Sequence, residues 1–277
     1  MNKIFENIYK DYRKANKSRK LKLIQKYGFN NEASFLAYLN GAEDIVAPVD
    51  TTKPLDIVIA FDLTGSMSQY RDAVRKVSKQ FVEELFEKIP NLNMEIVGFG
   101  DYCDDSNMFQ SSSLTDNKNS LVFFIDTCKN TSGGDSDEFY EYVIQQVVRN
   151  TQWRNNSNKV FVLLGDADPH EVGYRYGKKT YKVSWQEEVQ NALETRVNIH
   201  TVYVNTGSGS KHFYETVANT TGGAFLEFKH IDKLPSILQG IAYSKGNVEE
   251  LHTQYEKSIV ENDTVMTMYY KTIIETV

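Results

Sequence analysis

The sequence contains little cysteine and has no long apolar run. Only two of its 277 residues are cysteine, Cys103 and Cys128. They form no CxxC pair and no cluster with histidine, so neither a disulfide framework nor a zinc motif is indicated. No apolar run approaches the roughly 18 residues of a membrane span, and the polar start MNKIFENIYKDYRK does not resemble a signal peptide. We therefore expect a cytoplasmic protein with free thiols, or alternatively a virion component.

The chain also lacks the excess of basic residues that is typical of nucleic-acid-binding proteins. Its formal net charge is −6, which makes general affinity for nucleic acids an unfavourable hypothesis. Positive charge is concentrated in residues 1–26, which carry nine lysine and arginine residues against two acidic ones. This run is interpreted as a solvated helical face, with docking on an acidic partner or a nucleic acid as the alternative.

Composition and periodicity divide the chain into three regions. Residues 1–53 form a helical extension and linker, residues 54–245 form the main domain, and residues 246–277 form a tail. Helical spacing in the extension and the tail is carried by Ile4, Phe5, Ile8 and Tyr12 and by Val248, Leu251, Tyr255 and Ile259. The end of the tail, VMTMYYKTIIETV, is apolar and prone to form β-structure. It is predicted to pack on the domain, to pair with a sheet edge, or to bind a partner.

The main domain alternates short apolar runs with helical patterns. The runs are rich in β-branched and aromatic residues, as in strands that are buried on both faces. The predicted strands lie at 55–61, 94–100, 159–165, 198–204 and 224–228. The alternation predicts an α/β fold with a doubly wound, mostly parallel sheet and helices on both faces. Such sheets place their sites at the carboxyl ends of the strands.

Acidic residues follow three of these strands. Asp62, Asp101 and Asp166 each stand just beyond a strand, and Asp135 follows two glycines at the start of a predicted helix. Carboxylates that converge at one sheet edge repel each other unless a cation lies among them. The pattern therefore predicts a cation site at this edge.

The turn DLTGS after the first strand supplies further oxygen atoms. Asp62 contributes charge, Thr64 and Ser66 contribute neutral hydroxyls, and Ser68 is expected to cap the next helix. A ligand set made only of oxygen favours Mg²⁺, Mn²⁺ or Ca²⁺ over softer metals. We therefore expect a hard divalent cation, Mg²⁺ first.

The motifs DLTGS, GDY, GGDSDE and GDADPHE together resemble the von Willebrand factor A domain family, in particular its intracellular and bacterial branch. DLTGS is similar to the family signature DxSxS, with Thr64 in place of the first serine. The resemblance covers about residues 54–245 and implies a Rossmann-like fold with a metal-ion-dependent adhesion site. Asp166 matches the family's later aspartate. Asp135 stands where the family has a threonine, with Thr131 and Ser132 just upstream as alternatives.

The resemblance implies a metal-dependent protein–protein interaction inside a cell or within a multiprotein assembly. The predicted metal ligands are Asp62, Thr64, Ser66, Asp135 and Asp166. The family's logic is that neutral hydroxyls leave the metal electron-poor, so that it binds a carboxylate of the partner protein. An AAA+ ATPase or a kinase is the neighbour that the resemblance suggests.

The loops around the predicted metal supply candidates for contact with a partner. The loop HEVGYRYGKKTYKVSW is aromatic and basic, and tyrosine with arginine is typical of protein interfaces. The residues predicted for partner contact are Asp101, Glu138, His170, Tyr174 and Arg175.

The enzymatic alternatives lack their motifs. A haloacid dehalogenase-type phosphatase also has an aspartate after the first strand, but it needs DxDx[TV], and Thr64 occupies the position of the second aspartate. The sequence contains no Walker motif, no GxSxG elbow and no HExxH. We expect a non-enzyme. The alternatives are such a phosphatase and a structural subunit in which the metal only braces the fold.

Overall fold

A computed structural model of the chain describes residues 12, 14, 15, 19, 20, 53–68, 70, 81–204 and 211–277. The chain divides into two compact units, and the larger one comprises Thr51–Thr276. In the smaller unit, the Lys20 ammonium lies 4.7 Å from the ring centre of Tyr12, whose side chain is buried. The other predicted elements of residues 1–53 lie outside the described residues.

A six-stranded sheet forms the centre of the larger unit. Its order is β10-β9-β5-β1-β2-β3, and all neighbours are parallel except β2 and β3. The strands are β1 (Leu55–Asp62), β2 (Leu92–Phe99), β3 (Phe109–Ser111), β5 (Asn158–Gly165), β9 (Val197–Val204) and β10 (Phe225–Phe228). All eight residues of β1 are buried, because this central strand is covered on both faces. The predicted fold class and strands are confirmed.

Helices cover both faces of the sheet. They are α1 (Lys118–Thr127), α2 (Tyr140–Asn150), α3 (Trp185–Glu194), α4 (Lys211–Thr221), α5 (Leu234–Gly246), α6 (Val248–Val260) and α7 (Thr264–Ile274), with residues 81–88 also helical. Side chains of α2, α3 and α4 share one apolar core with Val58 and Ala60 of β1. The α5 helix packs over β1 and β5. Residues 71–80 and 205–210 lie outside the described residues.

The tail forms the helices α6 and α7 and no strand within its described length, so the β-propensity of VMTMYYKTIIETV is misleading. The α7 helix begins at the N-cap Asp263, whose carboxylate accepts a hydrogen bond from the amide of Met266. Its buried residues follow helical spacing: Met266, Tyr269, Tyr270 and Ile273. This stripe packs on α5, where a Cβ on Gly240 would lie 3.0 Å from the ring of Tyr270. Burial of the stripe therefore overrides local propensity.

Short elements at the carboxyl edge of the sheet carry the loops of the predicted site. A 3₁₀ segment spans Tyr102–Asn107, and β4 (Asp137–Glu138) pairs in parallel with β6 (Asp168–Pro169). A hairpin of β7 (Arg175–Tyr176) and β8 (Lys179–Thr180) lies in the aromatic, basic loop. The β4–β6 pair brings the GGDSDE and GDADPHE segments side by side.

No helix within the described ranges is both long and apolar enough to cross a membrane.

Candidate metal centre

Asp62 is the last residue of β1 and lies at the centre of the hydrogen-bonded set. Its side chain is 2% exposed. Oδ1 accepts hydrogen bonds from the amide and the hydroxyl of Thr64, at 2.8 and 2.6 Å. Burial raises the pKa of Asp62 to about 6, against the hydrogen bonds from Thr64 and Tyr140, with Asp166 adding to the rise. The carboxylate is therefore held rigidly in a place where its own charge is unfavourable.

Tyr140, at the start of α2, joins the ends of β1 and β5. Its hydroxyl donates to Oδ2 of Asp62 at 2.5 Å and accepts the amide of Asp166 at 3.1 Å. A Cβ on Gly165 would lie 1.8 Å from this hydroxyl, so only glycine allows the approach. The tyrosine thus fixes the spacing of the two aspartates.

Ser66 connects the DLTGS turn with the end of β5. Its hydroxyl donates to Oδ1 of Asp166 at 3.1 Å and lies 3.4 Å from the hydroxyl of Thr64. Thr64 and Asp166 are buried, while Ser66 is exposed. Four of the five predicted metal ligands therefore form one set that opens to solvent at Ser66.

Glu138 in β4 stands beside this set. It is 4% exposed, and its Oε2 has no hydrogen-bond partner among the described residues. A Cβ on Gly133, which has φ +72°, would lie 2.4 Å from Oε1 of Glu138 and 3.3 Å from Cβ of Thr64. Burial first, and then the charge of Asp62, raises the pKa of Glu138 to about 10. A buried carboxylate that lacks a partner is costly, and a cation would relieve that cost.

Asp135, the fifth predicted ligand, belongs to a different group. It is exposed, and its Oδ2 accepts the hydroxyl of Tyr174 at 3.0 Å. Ligand atoms of Asp101, Asp135 and His170 lie within 4.8 Å of one another. The alternative Thr131 has its hydroxyl 3.4 Å from the carbonyl of Phe99. Within residues 131–138, the carboxylate on the side of Thr64 is therefore that of Glu138 and not that of Asp135.

Burial separates the residues predicted for partner contact. Asp101, Glu138 and His170 are each at most 4% exposed. Tyr174 is half-buried, and Arg175 is exposed in β7. Of these five residues, Arg175 presents its side chain most openly to solvent.

Several organising residues were missed by sequence reasoning. Asp104 accepts the amides of Ser132 and Gly133 at 2.8 and 3.2 Å and so joins the 3₁₀ segment to the loop before β4. Glu141 accepts the hydroxyl of Tyr102 at 2.8 Å. Asp104 carried a signal, because Asp101 and Asp104 stand at the capping-box spacing.

The donors at the carboxyl edge fit a hard divalent cation. Asp62, Thr64, Ser66 and Asp166 offer only oxygen, and Glu138 adds an oxygen that lacks a partner among the described residues. They meet between β1 and β5, where the strand order reverses and doubly wound sheets place their ligands.

The sequence model of the von Willebrand factor type A domain family matches residues 56–240, which is more than half of the chain. The chain belongs to this family. The match spans the sheet from β1 to β10 and the loops that carry the candidate metal centre. Domains of this family commonly act in protein interactions and often bind a divalent metal ion.

Solved structures support the same fold. The pilus adhesin SpaC from Lactobacillus rhamnosus GG, in its open conformation, is similar with a TM-score of 0.54 and 16% identity, over 70% of this chain and 30% of the adhesin. A von Willebrand factor type A protein from Catenulispora acidiphila has a TM-score of 0.54 and 13% identity, over 70% of this chain and 43% of its own.

One curated relative is named as an ariadne-like RING finger protein of Acanthamoeba polyphaga mimivirus. It is 23% identical over 193 residues, which cover 64% of this chain and 18% of the relative. The chain therefore spans less than half of the length of each of these similar proteins.

Proposed function

We propose that this domain is a non-catalytic, metal-dependent protein-interaction module that acts within a cytoplasmic or virion multiprotein assembly. The observation that carries the proposal is the set of Asp62, Thr64, Ser66 and Asp166, with Glu138 buried beside it. This set of oxygen donors opens to solvent at Ser66. Mg²⁺, or Mn²⁺ or Ca²⁺ in its place, would bind there and offer a coordination position to a carboxylate of the partner.

The non-catalytic part of the proposal rests on Asp62. Its Oδ1 accepts two hydrogen bonds from Thr64, and its Oδ2 accepts one from Tyr140. A phosphatase of the haloacid dehalogenase type needs a free nucleophilic oxygen and a second carboxylate two residues later. Here the second position is Thr64, whose hydroxyl holds the first carboxylate in place.

Glu138 refines how a partner would bind. As a carboxylate of the chain itself, it would satisfy part of the metal's charge in the absence of a partner. A partner carboxylate would then compete with Glu138 for the cation. Binding would be weaker than at a site built from neutral hydroxyls alone, and replacement of Glu138 by Gln would strengthen it, provided that the metal stays bound.

The test joins metal binding to partner capture. Wild type and the double variant Asp62→Ala/Ser66→Ala would each be titrated with Mg²⁺ by calorimetry and then used to capture partners from the native source, with Mg²⁺ or with EDTA. We expect Mg²⁺ binding in the wild type alone, and partners that are lost with both the variant and EDTA. Partners kept under every condition would reject the metal-dependent module in favour of a structural role. Mg²⁺-dependent phosphate release by the wild type would reject the non-catalytic part.

A further inference from the structure

A second group of potential metal ligands lies beside the candidate centre. Asp101 follows β2, Asp135 precedes β4, and His170 follows β6. One ligand atom of each lies within 4.8 Å of the other two. We call these three residues the lateral cluster. The proposed function uses none of them to hold the first cation.

The lateral cluster contains a buried oxygen that has no partner. Asp101 is 0% exposed, and its Oδ1 is hydrogen-bonded to Nε2 of His170 at 2.7 Å. Its Oδ2 has no hydrogen-bond partner within the part of the chain that the structure describes. A purely structural aspartate–histidine pair does not explain this second oxygen, because a buried carboxylate oxygen is stable only with a donor or a cation.

The charges around the cluster also favour a cation. Asp104, Glu138 and Glu141 lie around it, and Glu141 accepts the backbone amide of His170 at 3.2 Å. Burial opposes protonation of His170, but the hydrogen bond and the charge of Asp101 outweigh it and raise the pKa of His170. A single imidazole thus faces several carboxylates, which leaves an excess of negative charge.

The donor atoms differ from those of the first centre. The lateral cluster combines an imidazole nitrogen with two carboxylates, and the thiol of Cys103 borders the same space. A Cβ on Gly134 would lie 2.9 Å from Sγ of Cys103 and 3.5 Å from Oδ2 of Asp101. An imidazole nitrogen with carboxylate oxygens, and a sulfur atom at the border, favours Zn²⁺ or a similar transition ion, whereas Mg²⁺ prefers oxygen alone.

The surroundings of the cluster orient its members. The Tyr174 hydroxyl donates to Oδ2 of Asp135, and the Tyr174 ring stacks on His170 with centroids 3.6 Å apart. The ring of Tyr102 stacks on His170 from a centroid distance of 5.6 Å. Metal-binding histidines and carboxylates are typically held by such outer contacts.

We propose that Asp101, Asp135 and His170 form a second cation site, which binds Zn²⁺ or a similar transition ion beside the Mg²⁺ site. The inference goes beyond the proposed function and does not depend on it. Asp135 lies just before β4, three residues ahead of Glu138 in that strand. An ion in the lateral cluster would therefore hold the loop that places Glu138 beside the first centre.

The experiment is a calorimetric titration with Zn²⁺ alone as the probe, in buffer with saturating Mg²⁺. The full chain would be compared as wild type, Asp135→Asn, His170→Gln and Ser66→Ala. His212→Gln is the matched control, since His212 is an exposed histidine of α4. Asp135→Asn alters an exposed residue and keeps an oxygen that can accept from Tyr174, so it should fold even where His170→Gln does not. Near-UV circular dichroism would check each fold.

We expect one Zn²⁺ per chain in the wild type, the control and Ser66→Ala. Affinity should fall by at least roughly tenfold in Asp135→Asn and His170→Gln, because loss of an outer contact alone costs about 10–100-fold. Co²⁺ in place of Zn²⁺ should show visible absorption that Asp135→Asn changes. Unchanged Zn²⁺ affinity in folded Asp135→Asn, or no Zn²⁺ binding by the wild type, would overturn the proposal. Loss of Mg²⁺ binding in Ser66→Ala tests the proposed function separately.

Discussion

The two ends of β1 each carry a buried carboxylate, but the partners of these two carboxylates differ in charge. Asp56, near its start, is 0% exposed, and Asp62, at its end, is 2% exposed. Asp56 accepts the guanidinium Nε of Arg154 at 2.6 Å, the Arg154 amide at 2.7 Å and the hydroxyl of Ser157 at 2.7 Å. Among the described residues, the groups that donate to Asp62 are neutral, namely those of Thr64 and Tyr140.

The difference separates a structural carboxylate from one that is suited to a ligand. At the start of β1 the fold supplies the cation itself, and the ion pair needs nothing further. At the end of β1, within the described residues, no basic side chain pairs with Asp62 or Glu138. The start of β1 thus carries a complete ion pair, whereas the end of β1 carries buried carboxyl groups that a cation would stabilise.

The largest change in the free energy of unfolding is expected at the start of β1, where Asp56 pairs with Arg154. Arg154→Ala should leave Asp56 buried without its cation and lower the free energy of unfolding by about 3–5 kcal/mol. Urea denaturation measures the loss, which should be the same with Mg²⁺ and with EDTA. Lys257→Ala, in an exposed pair with Glu261 at 3.9 Å, is the control and should change it by less than about 0.5 kcal/mol. An equal loss in both variants would contradict the comparison.

The second largest change is expected at the end of β1, where Mg²⁺ binding should stabilise the folded protein. Mg²⁺ at about 100 times its dissociation constant should raise the free energy of unfolding by about 2.7 kcal/mol. Ser66→Ala should remove most of this gain, because it removes a ligand hydroxyl at an exposed position. Thermal denaturation with and without Mg²⁺ is the measurement. A full gain in Ser66→Ala would show that the cation does not bind through this hydroxyl.

Glu138, beside the end of β1, should also make the free energy of unfolding of the metal-free protein fall as the pH rises. Burial and the charge of Asp62 raise the pKa of Glu138 from 4.5 to about 10. Between these values the folded state binds the proton of Glu138 more tightly than the unfolded state does. The contribution of Glu138 to the free energy of unfolding is therefore complete below about pH 4.5 and decreases as the pH rises, by at most about 1.4 kcal/mol per pH unit. Urea denaturation in EDTA from pH 5 to 8 should show this fall, and Glu138→Gln should flatten it. A slope that Glu138→Gln leaves unchanged would assign the effect to another group.

The smallest effect is expected from Thr64→Ser. The change restores the family's DxSxS signature and keeps the hydroxyl that donates to Asp62. The Mg²⁺ affinity should therefore stay within about threefold of the wild type, which is less than the tenfold change that corresponds to roughly 1.4 kcal/mol. Thr64→Val, which has a similar shape and no hydroxyl, should bind Mg²⁺ clearly more weakly in the same calorimetric titration. Equal affinities of these two variants would show that the hydroxyl has no role.

Much of the centre could be predicted because it depends on strand ends. Apolar runs predict parallel strands, and parallel strands bring Asp62 and Asp166 to one edge whatever the loops do. The position of Glu138 could not be predicted in the same way. It depends on the positive φ of Gly133 and on the pairing of β4 with β6, which have no periodic pattern in the sequence. For the same reason Asp135, aligned by motif with the first centre, lies in the lateral cluster.

The last helix has a consequence for how copies of this protein meet. β10 is a terminal strand of the sheet, and the hydroxyl of Tyr269 in α7 donates to the backbone carbonyl of Glu227 in β10 at 2.8 Å. Exposed strand edges pair readily with other chains, and proteins protect them with covering elements and charged side chains. Glu227 also pairs with Lys211 and Lys229. Because Tyr269 of α7 occupies an edge carbonyl, this part of β10 is less available for pairing with a strand of another copy.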